Sequence, residues 1–379
     1  MKRAFWGALA LLCGLALFCL PAAARAELPD VSEPLEAFYA ALPESLRDSL
    51  PPALLDGGMP NADALREAAS LPALLARMRD VLADALPGAG RLLLRIALCL
   101  LFAAMLESVC DAVSAGSLGE MARFCCRLCL GGVLLEAQLA QLNLVTACLR
   151  QLQLVVNAML PVLAAVLSAG GSTGTAAASC GALMLFLNLG ENLCGSFFLP
   201  MIASAYGLAA AAWLSSGGRL GGLLRALKRI IAWSMGMFGT VFSAVFAFQT
   251  ILAAGADSVA VRGIRFAVGS AVPVLGNVIG ETVRTAATGL RYLKDTVGLM
   301  GILLLVLLVL PPMIGLFMHR AVLMLAESAA EVLGGDGERR LLGEFASVSG
   351  LLFGLLVGAV LCFIFALVLL VRISLGVGA

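Results

Sequence analysis

Eight long runs of apolar residues, nearly free of charge, settle which solvent this chain can fold in. They fall at about 92–106, 128–149, 154–168, 176–189, 196–214, 230–254, 297–318 and 347–371. A backbone buried in hydrocarbon must satisfy its own hydrogen bonds, and only helices and closed barrels do so. A barrel needs ten-residue segments of alternating polarity, which are absent. Composition points the same way, because 61% hydrophobic against 13% charged residues leaves too little polar surface to coat a water-soluble globule. The fold class predicted is all-α: a polytopic α-helical integral membrane protein with a small extracytoplasmic helical N-terminal region.

The first 26 residues carry the three parts of a secretory signal. Lys2 and Arg3 precede an apolar run at 4–20, and Pro21 and Ala24-Arg25-Ala26 then supply an A-x-A cleavage site before Glu27. Residues 1–26 are therefore expected to be a cleaved signal peptide. The alternative is an uncleaved first membrane helix, since the run matches the shortest spanning helices, about 17 residues. Residues 27–90 form an expected extracytoplasmic helical region, rich in proline (Pro29, Pro34, Pro43, Pro51, Pro52, Pro60). Within it Leu65, Leu71, Leu74, Leu75, Met78, Leu82 and Leu86 recur at helical spacing, and Pro87-Gly88 should end that helix.

Residues 91–379 make the membrane domain of about eight apolar segments. A weaker ninth, at 264–279, carries Pro273 and Gly276 between arginines, so that the region near 258–296 either crosses, re-enters or lies on the surface as a hairpin. With the mature N-terminus outside and the first five segments crossing, the loop at 215–229 lands in the cytoplasm. It holds Arg219, Arg225, Lys228 and Arg229, as the positive-inside rule asks.

Several chemistries lack their residues. A net charge of +1 and only three lysines (Lys2, Lys228, Lys294) give nucleic acid no basic surface. None of those lysines sits in a G-x-x-x-x-G-K-[ST] loop. One histidine, His319, with no H-E-x-x-H and no G-x-S-x-G element, leaves hydrolysis nothing to assemble from. Cys125, Cys126 and Cys129 contain a C-x-x-C element but no second pair, so they read as small helix-packing residues, not a metal site. An intramembrane aspartyl protease would have only Glu107, Asp111 and Glu136 to draw on. No catalytic residue, cofactor or metal is therefore assigned.

The informative polar residues are Glu136, Asn143, Arg150 and Asn157, each seven apart. On a single helix they would share one stripe, with Gln138 and Gln153 near its margin, and would line a polar path or meet a partner's helix. The alternative is two short helices with a polar turn near 150–153. Gly350, Gly354 and Gly358 are consecutive G-x-x-x-G steps on the last apolar segment, a groove that another helix can approach closely. Pro311-Pro312 should interrupt the helix at 297–318, as a kink or a hinge.

The order of Arg262-Gly263-Ile264-Arg265-Phe266-Ala267, Val272-Pro273-Val274-Leu275-Gly276, Lys294-Asp295-Thr296-Val297-Gly298-Leu299 and Leu310-Pro311 resembles the stage III sporulation protein AE family of endospore-forming Firmicutes. The resemblance implies membership of the sporulation channel complex joining mother cell and forespore, in the mother-cell membrane around the forespore. It implies as partners the other membrane proteins of the stage III sporulation A operon, including ring-forming subunits and a separate secretion-type ATPase, and indirectly stage II sporulation protein Q. The family has no agreed catalytic residues, so none is carried over. The expectation is a non-enzymatic membrane subunit of that complex, needed for forespore development after engulfment. The competing reading is a stand-alone secondary transporter, also free of nucleotide motifs and built from broken helices.

Overall fold

The computed structural model describes the backbone of residues 62–113, 116–169, 173–214, 219–271, 276–333 and 335–373, with side chains chiefly of 65–162, 184–245 and 296–368. Every element among the described residues is a helix. A short α1 (Ala62–Ala68) precedes α2 (Leu71–Val113), α3 (Gly116–Ala169), α4 (Thr173–Leu193), α5 (Leu199–Leu214), α6 (Arg219–Ala271), α7 (Gly276–Val332) and α8 (Asp336–Ile373). A five-residue π-helical turn, Cys194–Phe198, joins α4 to α5, so six long rods follow one another. Five stretches are long and apolar enough to cross a bilayer among the described residues: Leu71–Cys110, Gly119–Val162, Met184–Leu214, Thr296–Val332 and Asp336–Val368. The protein is thus a polytopic α-helical membrane protein. The expected signal peptide at 1–26 and residues 27–61 lie outside the described residues.

Several expected breaks are not breaks. Pro87-Gly88 sits inside the 43-residue α2, and the expectation that it ends the helix is corrected. The segments 128–149 and 154–168 are one 54-residue helix containing Pro161, so no turn exists near 150–153. The segments 176–189 and 196–214 share one rod through the π turn. Pro311 and Pro312 lie inside the 57-residue α7 and do not interrupt it.

One cause explains these differences. A proline removes one intrahelical bond and costs about 3 kcal/mol, but unwinding in hydrocarbon would strand several backbone groups at several kcal/mol each. The helix therefore runs on. The π turn follows the same logic: Leu199 N–H bonds to the Cys194 carbonyl, and the extra residue opens the turn just before Pro200, whose ring would crowd a regular one.

The expected feature at 264–279 divides between α6, which ends at Ala271, and α7, which begins at Gly276. Pro273 lies outside the described residues.

In cross-section α7 packs against α2, α3 and α8, while α8 touches α3, α4, α5 and α6. Burial follows the sequence pattern. Val297, Leu299, Met300 and Ile302 to Leu305 are all buried, because a helix apolar on every side belongs at the centre. Outward faces of α2 (Leu94, Leu98, Phe102, Met105) and α6 (Ile230, Trp233, Met237, Val241) are exposed and apolar, as lipid-facing surfaces are.

The rods run up and down. At one end Lys228 on α6 pairs with Glu344 on α8, and a Cβ on Gly337 would lie 3.4 Å from Trp213 Nε1. A cleft of about 210 Å³ there is lined by Glu107, Arg127, Leu333 and Glu338, among others. The C-terminal ends of α2, α5 and α7 therefore share that end. Toward the other end Met159 and Leu367 close around Gly301.

Candidate functional site

Polar side chains in a bundle this apolar are costly, so where each one goes is informative. Most hydroxyls are absorbed locally: Thr146 donates to the Leu142 carbonyl at 2.8 Å, Ser204 to Pro200 at 2.8 Å and Ser243 to Gly239 at 2.8 Å. Two sets of residues are not absorbed in this way.

The first is a buried chain across four rods. Gln138 Nε2 on α3 lies 2.8 Å from His319 Nε2 on α7. Ser349 Oγ on α8 donates to Gln138 Oε1 at 3.2 Å, and Tyr206 Oη on α5 lies 3.0 Å from Ser349 Oγ. The directions follow from the donor inventory. A carboxamide nitrogen can only donate, so His319 Nε2 accepts, and the ring is the neutral tautomer with its proton on Nδ1. Ser349 spends its proton on Gln138, so Tyr206 donates to Ser349. Bonds aligned head to tail in a low dielectric reinforce one another. Gln138, His319 and Ser349 are only 1%, 4% and 2% exposed, so the chain clamps α3, α5, α7 and α8 at one level and excludes water.

Beside this clamp the Arg320 guanidinium occupies the space over Gly350, where an added Cβ would sit 2.8 Å from its central carbon. The three glycines of α8 thus meet different surroundings. Gly350 makes room for Arg320 of α7, and a Cβ at Gly354 would meet Met235 of α6 at 3.6 Å. A Cβ at Gly358 would meet nothing within 4 Å among the described residues.

The second set faces outward along the α3–α4 seam. The structure brings the seven-residue series onto one helix, with Glu136, Asn143 and Arg150 exposed and Asn157 half-buried. A strict seven-residue step drifts about 20° per repeat on a 3.6-residue helix, which turns Asn157 partly inward. The expectation that Gln138 lies near the margin of this stripe is corrected: it is buried, because two residues from Glu136 is about 200° around the helix. Across the seam Gln153 Nε2 bonds to Asn188 Oδ1, and Arg150 is near enough for its charge to act on Glu191.

Depth can be read from neighbours. Leu149 and Glu191 line one small cleft with Ala359, Cys362 and Phe363, the middle of the apolar run of α8. Arg150 therefore lies well inside the apolar zone, where a lipid-facing arginine costs about 2.5–3.5 kcal/mol on insertion scales.

Sequence reasoning singled out the seam and missed the clamp, although a signal existed. The only histidine of the chain lies in an apolar helix beside an arginine, and polar groups at such positions normally face protein.

A family model described as stage III sporulation protein AE matches residues 63–374. A stage III sporulation protein AE of Bacillus subtilis (strain 168) is 24% identical over 246 residues, covering 65% of this chain and 62% of that relative. The chain thus spans less than two thirds of that relative's length in the match. No solved structure matches.

Proposed function

Because the chain belongs to the stage III sporulation protein AE family, we propose that it serves sporulation as a non-enzymatic membrane subunit of the channel complex between mother cell and forespore. The single observation that carries this reading is the family match over 63–374, which takes in nearly all of the described helices. On this reading the chain sits in the mother-cell membrane around the forespore. It assembles there with the other membrane proteins of the stage III sporulation A operon, including ring-forming subunits and a separate ATPase, and through the rings with stage II sporulation protein Q.

The architecture supports a scaffold role. Four buried polar side chains hold rods together: Tyr206, Ser349, Gln138 and His319 close on one another. Polar groups locked in this way give a rigid body. The outward polar seam is the part of the bundle suited to meeting other subunits. The glycine row of α8 contributes to packing within the chain, with Gly350 admitting Arg320.

Deleting the gene in its spore-forming host should leave engulfment able to begin and block later forespore development. Heat-resistant spores at wild-type yield from the deletion would overturn the proposal.

A further inference from the structure

We propose that the outer seam between α3 and α4 is the docking site for a membrane helix of a different protein, one that presents carboxylate or carboxamide oxygens to Arg150 within the bilayer; this rests on the reading of the chain as a subunit of a membrane complex. Arg150 carries five N–H donors in a planar fork. Among the described residues it makes no hydrogen bond and no close ion pair, while Glu191 acts on it only through charge. Its level matches the middle of the apolar run of α8, as the shared lining by Leu149, Glu191, Ala359 and Phe363 shows.

The surrounding surface mixes small and polar residues with apolar ones. The outward side of the α4–α5 rod shows Asn192, Gly195, Ser196, Pro200, Ser204 and Gly207, with Leu185, Leu189 and Phe197 also exposed on it. Gly195 and Gly207 have no atom within 4 Å of an added Cβ, which leaves the rod smooth enough for a neighbouring backbone to approach.

Charge decides which occupant fits. A second copy in the same membrane orientation, paired seam to seam, would set Glu136 against Glu136 and Arg150 against Arg150. Like charges opposed in low dielectric repel. Reversing one copy would pair Glu136 with Arg150 around Asn143, but a chain with fixed membrane orientation cannot present itself upside down. A heterologous helix with an acidic or amide side chain at the depth of Arg150 satisfies the guanidinium, and a second polar residue about two turns along that helix, about 10 Å away, meets the exposed Asn143 amide.

The test places a photoreactive benzophenone amino acid at 192 in the full chain, in sporulating cells of the native host, with positions 98 and 233 on the lipid-facing surfaces as controls. The expected result is an adduct from 192, and not from the controls, with a membrane-spanning peptide of another protein bearing Asp, Glu, Asn or Gln. With membrane abundance unchanged, that adduct should fall about tenfold in Arg150→Leu, as loss of one buried charged contact does, and be partly restored in Arg150→Lys. If Arg150→Leu fails to accumulate, Asn143→Leu takes its place with the same expectation. Adducts with lipid alone, with a second copy of this chain, or with a protein insensitive to these substitutions would overturn the proposal. A missing adduct beside a sporulation defect would remove only the docking site, whereas normal spores from a deletion would remove only the proposed function.

Discussion

Replacing Gln138 by Leu should destabilise the bundle by about 2–4 kcal/mol, and the sum can be worked from the clamp. The substitution nearly conserves volume, so the packing change is small. It removes two inter-helix hydrogen bonds, to His319 and from Ser349, which between membrane helices average about 0.6 kcal/mol each. It also strands the His319 Nε2 lone pair at a site 4% exposed, and an orphaned buried acceptor costs about 1–3 kcal/mol. Ser349 can turn its proton to its own helix, as the serines of α5 and α6 do, so it adds little.

Adding His319→Leu should return at least about 1 kcal/mol, because removing both partners removes the orphan. The assay is reversible unfolding of the purified chain in mixed micelles, followed by circular dichroism for the single variants and the double. Leu139→Ala, at a residue 57% exposed, is the control and should stay within about 0.5 kcal/mol. A Gln138→Leu as mild as that control, or a double variant equal to the sum of its singles, would refute the clamp.

Three further outcomes are expected. Gly350→Leu should cost about 1–3 kcal/mol through collision with Arg320, whereas Gly358→Ala, with open space around it, should be neutral or raise stability by up to about 1 kcal/mol; equal effects of the two in the same assay would contradict the assigned surroundings. Lys228→Met should cost no more than about 1 kcal/mol, because the partner Glu344 is 37% exposed and such pairs are weak; a loss above about 2 kcal/mol in the same unfolding assay would mean the pair is buried. Cysteines placed at 225 and 340 should react with an impermeant maleimide from the same side of the membrane, and labelling from opposite sides would refute the up-and-down order of rods.

Much of the architecture could be read along the chain because it depends on local properties. Long apolar runs dictate helices wherever water cannot take up backbone hydrogen bonds, and every apolar segment with a described backbone is helical. The central place of α7 follows from the same property, since its first half is apolar on all sides and buried. Element boundaries were read less well. Pro87, Pro161, Pro311 and Pro312 are strong breakers in water, yet each lies inside a rod, since the weight of a missing bond depends on whether solvent can replace its neighbours.

The local pattern could show that Gln138, Tyr206, His319 and Ser349 were polar residues in an apolar chain, but not that they would meet. They come from four rods with up to 211 residues between bonded partners. Which side of α3 turns inward is set by its neighbours, and this put Gln138 at the centre while Glu136, two residues away, faces out. Sequence alone determined that the chain lives in lipid as helices, because that follows from how each segment meets its solvent. The tertiary structure decided which polar groups close on one another and which remain open on the α3–α4 seam, because rotation and pairing of helices depend on contacts among all of them at once.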